Sequence, residues 1–238
     1  MKSERLRKIR EENVRWEKES PYNFCDRWCE RCPHERQTRC SLYLDELERK
    51  VTCIAHGREP DNPEMTAEVM KKQYESTEEA LEKFTEEQGI DLDDNDIPEM
   101  QKIKEHIEFV HNNPLEKTAR QYSHKAHEFL KETFFTDQRA APELVYDFET
   151  VAWYHTLLPV KLHRGLCGFH EPMTDGDISL CDAVAQFAIC KDAIRKSVEA
   201  LRKIKPHYSP RQNELLTQLI AILHNILSRI TEMEDRIL

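Results

Sequence analysis

The chain has 238 residues, of which 39% are hydrophobic and 34% charged, and its formal net charge is −10. With only 5 glycines and 11 prolines, the composition disfavours turn-rich β architecture and glycine-rich nucleotide loops. No apolar run approaches the ~20 residues that cross a bilayer, and residues 1–10 lack the apolar core of a signal peptide. We therefore expect a cytoplasmic protein without a membrane partner, in which clustered cysteines more often bind metal than form disulfides.

The negative charge is concentrated in one part of the chain. Residues 61–100 hold 14 acidic residues and 3 lysines, and the remainder is close to neutral. Because nucleic-acid binding depends on basic side chains that neutralise phosphates, we expect no nucleic-acid partner. The acidic run 91–96 lacks the glycine and the glutamate that a calcium loop has at its sixth and twelfth positions, so we interpret it as a solvated loop.

Helical spacing of apolar residues recurs along the chain, and no segment shows the two-residue alternation of a strand. The predicted helices span residues 3–18, 42–56, 64–88, 98–111, 114–136, 143–166, a segment from a cap at Thr174 or Asp177 to about 204, and 210 to the end. The predicted fold class is an all-α, multi-helix bundle of seven or eight helices, with a short cysteine-rich N-terminal segment.

Two helix starts carry clear capping signals. Asn113 is followed by Pro114 and then by Glu116, which we interpret as a cap, a first-turn proline and a capping-box acid. Ser209 followed by Pro210 marks the start of the last helix in the same way.

The best break in the chain is the turn-rich run 57–63, which contains a glycine and two prolines. It predicts an N-terminal helical, cysteine-rich module over residues 1–60 and a helical bundle over residues 61–238. The same run is also compatible with a long turn inside one domain.

The last helix, 211–238, has the most regular pattern. Its apolar residues recur at alternating spacings of three and four: Leu216, Leu219, Leu223, Ile226, Ile230, Met233 and Ile237. This heptad pattern is typical of a central bundle helix or of a coiled coil that joins two copies of the chain. A homo-oligomer through this helix, or a protein partner, is therefore one hypothesis.

Four of the eight cysteines fall within sixteen residues: Cys25, Cys29, Cys32 and Cys40. Four thiolates complete a tetrahedral zinc site or hold an iron–sulfur cluster, and the uneven spacing with a Cys-Pro step slightly favours a 4Fe–4S cluster over zinc. We predict these four residues as metal ligands. Possible substitute ligands are His34, Cys53 and His56.

The spacing also makes a geometric prediction. On a continuous helix, Cys25 and Cys32 would be separated by about 10 Å along the axis, whereas thiolates on one zinc ion lie only about 4 Å apart. A shared metal therefore requires a loop or a broken helix here, and Pro33 disfavours helical geometry at the residue before it. The alternative is a helix with a buried stripe of cysteines acting as small apolar residues.

A second group of polar residues lies on the predicted helix 143–166. His155 falls on its apolar face, and Asp147, Tyr154 and Lys161 flank that face. Pro159 removes the helical partner of the His155 carbonyl, so a kink coincides with an inward histidine. These residues predict a polar pocket or, alternatively, a satisfied core histidine beside a kink.

The other cysteines of the second half show no shared ligand spacing, so we interpret Cys167, Cys181 and Cys190 as core residues. The two basic residues that follow Leu162, His163 and Arg164, suit the negative end of a helix dipole without any function.

Three stretches together resemble an uncharacterised family of bacterial helical proteins: residues 23–33, which read NFCDRWCERCP; residues 113–115, which read NPL; and the pair WYH at 153–155 and PVKLHR at 159–164. The resemblance spans most of the chain. It implies a bacterial, cytosolic, helical protein and carries over no activity and no catalytic residue.

The sequence supports three functional hypotheses. The first is a metal- or iron–sulfur-binding helical protein with an interaction or regulatory role. The second is an enzyme with a polar pocket around Asp147, Tyr154, His155 and Lys161. The third is a metal-free helical scaffold that assembles through residues 211–238.

Overall fold

The computed structural model describes residues 4–88, 98–136, 141–171 and 178–237. All regular elements in this part of the chain are helical, which confirms the predicted all-α, multi-helix fold. The α-helices are α1 (Glu4–Glu19), α2 (His34–Gln37), α3 (Ser41–Ala55), α4 (Pro63–Gln88), α5 (Pro98–His111), α6 (Pro114–Thr133), α7 (Val145–His170), α8 (Ile178–Ile204) and α9 (Pro210–Asp235). Short 3₁₀ turns span Pro21–Phe24, Cys29–Arg31, Pro142–Leu144 and Lys205–His207. The interpreted acidic loop 91–96 and the caps at Thr174 and Asp177 lie outside the described residues.

The capping signals place the helix starts correctly, but Glu116 does not act as a capping-box acid. Asn113 is the N-cap of α6 and accepts a hydrogen bond from the backbone N–H of Leu115, and Pro114 occupies the first turn. The carboxylate of Glu116 is instead buried and bonded to side chains, among them that of Arg120. The backbone N–H of Asn113, to which a capping-box acid would bond, donates instead to the carbonyl of Val110 over 2.9 Å.

The residues group into two compact units. The first comprises Met1–Trp28 and Lys104–Leu238, and the second comprises Cys29–Ile103. The boundary predicted near residue 60 falls inside the second unit.

The first unit is built around a four-helix bundle. Its helices α6, α7, α8 and α9 each pack against two of the other three, and α1 packs on α8. Large side chains of α6, α7 and α8 that are almost completely buried include Tyr122, Phe129, Leu130, Phe148, Tyr154, Leu158, Leu162, Leu166, Phe187, Ile194 and Leu201. The interior is therefore filled by aliphatic and aromatic side chains, as in other helix bundles.

Two glycines allow α7 and α8 to approach closely. A Cβ added at Gly165 would lie 2.7 Å from the ring of Phe187, and one at Gly168 would collide with the backbone carbonyl of Ser179. Any larger residue would push the two helices apart. The helix α7 runs on to His170, four residues beyond its predicted end.

The regular apolar seam of α9 faces the bundle core of the same chain. Five of its residues are completely buried: Leu216, Leu219, Leu223, Ile226 and Ile230. Met233 is partly buried against the same core, and Ile237 packs with residues of α1 and α8. These side chains already form a central bundle helix within one chain.

The interior of the second unit differs in composition from that of the first. Among its described side chains, the only buried apolar ones are those of Cys40 and Cys53. Its exposed large apolar residues are Leu42, Leu44, Leu47, Val51, Ile54, Met70, Tyr74, Leu81, Phe84 and Ile103. In the described parts of both units, no helix has the length and apolar content needed to cross a membrane.

Candidate functional site

The segment that holds the four clustered cysteines, residues 25–40, is not one continuous helix, and we call it the cysteine segment. After α1 the chain forms the 3₁₀ turn Pro21–Phe24, takes an extended conformation at Cys25, and then bends at Arg27, whose φ of 59° lies in the left-handed region. A second 3₁₀ turn and the one-turn helix α2 follow before α3 begins. The backbone therefore lacks the continuous helix that would have held Cys25 and Cys32 far apart.

The second 3₁₀ turn connects two of the cysteines. The N–H of Cys32 donates to the carbonyl of Cys29 over 3.1 Å, and the side-chain amide of Gln37 donates to the same carbonyl over 3.0 Å. Cys29 opens this turn and Cys32 follows its last residue, Arg31, so the two cysteines flank the turn. Pro33 ends the turn and leads into α2, as expected for a residue that cannot continue it.

Cys40 lies at the next helix start. It occupies the N-cap position of α3, and only 8% of its surface is exposed. Cys53, which lies further along α3, is completely buried. All eight cysteines of the chain are thiols in the structure.

Asp26, in the first half of the cysteine segment, is held against α7. Its carboxylate accepts a 2.6 Å hydrogen bond from the hydroxyl of Tyr154, and its backbone carbonyl accepts one of 2.9 Å from the indole N–H of Trp153. Burial and the Asp26 hydrogen bond raise the pKa of Tyr154 to about 12, so this hydroxyl keeps its proton at neutral pH. Lys196 of α8 adds an ammonium 3.6 Å from the same carboxylate.

Two stacked tryptophans strengthen the attachment. The rings of Trp28 and Trp153 lie 5.2 Å apart at an angle of 19°, and the Trp28 ring meets Tyr154 edge-on at 5.9 Å. The backbone N–H of Trp28 also donates to the side chain of Asp26 over 3.2 Å. Aromatic pairs of this kind add about 0.5–1.5 kcal/mol beyond the area they bury. We call Asp26, Trp28, Trp153 and Tyr154 the aromatic anchor.

Lys161 of α7 is also buried, with only 6% of its surface exposed. Burial lowers its pKa, and the positive charge of Arg27 lowers it further. The thiols of Cys25 and Cys190 lie within its electrostatic range.

The four residues predicted to form a polar pocket are all buried, but Asp147, Tyr154 and His155 each have separate partners. Asp147 pairs with Lys203 at 3.6 Å, and Tyr154 belongs to the aromatic anchor. His155 bonds through Nδ1 to the carbonyl of Ala152 at 2.7 Å and stacks on His127 at 5.6 Å. No hydrogen bond or ion pair joins any two of the four residues.

The sequence analysis did not predict a chain of three reactive groups on α6 and α7. The thiol Sγ of Cys167 lies 3.6 Å from Nε2 of His163, and Nδ1 of that histidine lies 3.2 Å from a carboxylate oxygen of Glu116. The signal available in the sequence was the four-residue spacing of His163 and Cys167, which places both on one helix face. Glu116 lies 47 residues earlier in the sequence.

Two searches bear on these sites. Within residues 4–88, 98–136, 141–171 and 178–237, no three His, Cys, Asp or Glu side chains are arranged so that they could hold a metal ion. Comparisons with protein-family models, with curated proteins and with solved structures gave no significant match. Function therefore has to be argued from the residues themselves.

Proposed function

We propose that this chain is a metal-binding helical protein with an interaction or regulatory role in the cytoplasm. Cys25, Cys29, Cys32 and Cys40 are the proposed ligands, and the proposed metal is a 4Fe–4S cluster or a zinc ion. The observation that carries the proposal is the broken backbone of the cysteine segment, in which the N–H of Cys32 donates to the carbonyl of Cys29 and closes a 3₁₀ turn.

The composition of the second unit supports a metal in this segment. Its only buried apolar side chains among the described residues are those of two cysteines. A small unit that buries so little apolar surface normally needs a metal, disulfides or a partner for its stability. Its cysteines are thiols, so a metal is the source that its own residues can supply.

The backbone at Cys25 supports its part in the site, because this residue is extended rather than helical. The assignment of Cys25 to the same metal as the other three cysteines rests on its position four residues before Cys29 in the sequence.

The described residues contain no preassembled metal group, and this bears on how the metal would bind. Small metal sites rarely exist before the metal is bound, because metal binding and local folding occur together. We therefore propose that the side chains converge when the metal binds. The protein's contribution before binding is a segment that is already bent rather than helical.

The other two hypotheses stay predictions. The enzyme hypothesis has weaker support, because Asp147, Tyr154 and His155 have separate partners. For the scaffold hypothesis, the buried seam of α9 offers little apolar surface to a second copy.

The decisive experiment is anaerobic purification followed by analysis of metal and acid-labile sulfide. Iron together with sulfide supports the cluster, and one equivalent of zinc without sulfide supports the zinc site. A protein that contains neither, and that takes up neither zinc nor a reconstituted cluster, overturns the proposal.

Variants then test the ligand assignment. Cys29→Ser is expected to remove the metal, because it deletes one of the four proposed ligand thiols, at the start of the 3₁₀ turn. The matched control is Cys167→Ser, which changes a half-buried cysteine outside the proposed ligand set. Unchanged metal content in Cys29→Ser would show that the ligands are wrongly assigned even if the protein binds metal.

A further inference from the structure

Cys167, His163 and Glu116, which we call the thiol triad, lie in the first unit and include none of the proposed metal ligands. His163 and Cys167 are one turn apart on α7, and Glu116 is in the first turn of α6. The distances along the triad are 3.6 Å from sulfur to Nε2 and 3.2 Å from Nδ1 to the carboxylate. The order of thiol, imidazole and carboxylate is that of a base-activated nucleophile.

Glu116 fixes the protonation pattern of the histidine. The carboxylate is only 4% exposed and is also bound by the guanidinium of Arg120, whose Nε donates over 2.8 Å. An ionised carboxylate can only accept hydrogen bonds. The Nδ1 atom of His163 therefore donates to Glu116, and in the neutral imidazole Nε2 is the acceptor that faces the thiol of Cys167.

The thiol needs such a base. Burial raises the pKa of Cys167, and the carboxylates of Glu171 and Glu116 raise it further. Its position near the C-terminal end of α7 also disfavours negative charge, because the helix dipole is negative there. Cys167 is thus a neutral thiol beside an imidazole that can take its proton at the moment of reaction.

The solvent accessibility of Cys167 distinguishes it from Cys190, which lies in the core. Cys167 is half-buried, and about a third of the His163 side chain is exposed. Cys190 is completely buried and faces the carbonyl of Leu158 at 4.0 Å. A small reagent can therefore reach Cys167, whereas the Cys190 sulfur is shielded by the bundle.

The location of Cys167 also indicates which electrophile it can attack. The backbone N–H of Cys167 itself lies inside α7 and donates within the helix, so it does not stabilise the oxyanion of an acyl-transfer reaction. Attack on a disulfide sulfur creates no oxyanion and proceeds by direct exchange. A low-molecular-weight disulfide is therefore the class of reagent that this site suits.

We propose that Cys167 is a nucleophilic thiol that forms mixed disulfides with low-molecular-weight disulfides, with His163 as its general base and Glu116 as the positioning residue. His163 Nε2 takes the proton of Cys167, and Sγ attacks one sulfur of the disulfide. A new S–S bond forms as the old one breaks, and the leaving thiolate receives the proton from His163. No further oxidant is consumed.

The test is the reaction of the full-length protein with dithiodipyridine, a neutral disulfide, followed by mass spectrometry of each cysteine over time. In the unmodified sequence we expect Cys167 to react faster than Cys190 and Cys181, which are buried. His163→Ala is expected to slow modification of Cys167 by roughly 100-fold, the usual contribution of a positioned base. His163→Gln, which keeps a polar side chain at this position, serves as a second variant in case alanine perturbs folding.

The pH dependence separates a base from a merely structural histidine. With His163 present, the rate at Cys167 should level off once the imidazole is neutral. In His163→Ala it should keep rising about tenfold per pH unit toward the pKa of the thiol. Glu116→Gln should give an intermediate rate, and His124→Ala, which changes an exposed histidine of α6, should leave the rate unaltered. Equal rates and identical pH profiles with and without His163 would overturn the proposal.

Discussion

The two units of this chain stabilise their helices by different means. The first unit encloses a core of completely buried aromatic and aliphatic side chains, such as Phe148 and Leu201. In the second unit, residues such as Leu47 of α3 and Tyr74 of α4 are exposed. Among its described residues, the only buried apolar side chains are those of two cysteines. Apolar burial is the main source of folding stability, so the second unit has far less of it for its size.

The ion pairs of the two units also differ, because some of those in the first unit join different helices. In the first unit, Glu234 of α9 is buried and accepts charge-assisted hydrogen bonds from Lys191 of α8 at 2.6 Å and Arg10 of α1 at 2.9 Å. In the second unit, typical pairs are Lys72 with Glu68 and Lys71 with Glu75, each within α4. Pairs within one helix support that helix but do not join it to another. The comparison indicates that the second unit depends on something other than its own packing, and a metal is our proposal for it.

The largest predicted effect comes from removal of that metal. Structural zinc contributes about 10 kcal/mol or more to the folding of small metal modules, so chelation should raise amide hydrogen exchange strongly in α2 and α3. The bundle helices α6 to α9 should exchange as slowly as before, because their core holds no proposed ligand. Equal exchange in α3 with and without the chelator would break the link between the metal and the second unit.

Matched leucine truncations test the contrast in burial directly. Leu162→Ala removes a completely buried side chain of the bundle and should lower the free energy of unfolding by about 2–5 kcal/mol. Leu47→Ala, at a residue that is 44% exposed in the second unit, should change it by about 0.5 kcal/mol or less.

Urea unfolding provides the measurement, with far-ultraviolet circular dichroism for the helices of both units and tryptophan fluorescence for the first unit. The three tryptophans, Trp16, Trp28 and Trp153, all belong to the first unit, so their fluorescence reports that unit alone. A large loss from Leu47→Ala in this assay would contradict the division of stability between the units.

The aromatic anchor should have an effect of intermediate size. Asp26→Ala deprives the buried hydroxyl of Tyr154 of its carboxylate acceptor and should cost about 1–3 kcal/mol. Replacing the hydroxyl as well, with Tyr154→Phe in the same protein, should recover part of that loss. The near-ultraviolet circular dichroism of the Trp28–Trp153 pair should weaken in Asp26→Ala. If the single and double variants unfold alike, the hydrogen bond contributes nothing measurable.

Local sequence signals predicted the helices well. Most of the differences between predicted and observed helix boundaries come from tertiary contacts. The starts of α6 and α9 follow from the steps Asn113-Pro114 and Ser209-Pro210, because caps and first-turn prolines act within a few residues. The end of α7 was placed too early. Glycines are typical of helix ends, but Gly165 and Gly168 serve here to let α8 approach, and that contact depends on a helix further along the chain.

At the candidate sites, too, local signals predicted some features, whereas others depend on how the helices pack. The requirement that a shared metal places on the cysteine segment, a break in the helix, followed from the helix rise and the metal–sulfur bond length. The burial of His155 followed from its place on an apolar helix face. The partners of these residues did not follow. Asp26 meets Tyr154 across 128 residues of sequence, and Glu116 meets His163 across 47. Such pairings depend on how helices pack, which the periodicity of each helix does not specify.

A pH-dependent effect of smaller size should arise from His155. Burial lowers its pKa from 6.5, and the neighbouring charge of His127 lowers it further. Below pH 6.5 the unfolded chain therefore binds a proton that the folded chain resists. This stability is fully present above pH 6.5 and should fall as the pH drops, by up to about 1.4 kcal/mol per pH unit, until His155 is protonated in the folded state.

Urea unfolding between pH 7.5 and 5 measures this effect. His155→Gln should flatten the pH dependence even if it lowers stability throughout. His124→Gln, at an exposed position of α6, should leave the slope unaltered. An unchanged slope in His155→Gln would assign the pH dependence to other groups.

The smallest predicted effect compares a single ion pair from each unit. Arg164 of α7 binds Asp182 of α8 through two hydrogen bonds of 2.8 Å, and both side chains are partly exposed. Solvent screening limits such a pair to about 0.2–1 kcal/mol, so Arg164→Ala should destabilise the first unit only slightly, and less in high salt. Lys50→Ala removes the ammonium that pairs with Glu46 on the same helix. It should reduce the helicity of α3 without shifting the tryptophan-detected unfolding, because the pair does not contribute to the bundle. A shift in that transition caused by Lys50→Ala alone would mean that the two units unfold together and that the contrast between them does not extend to their stability.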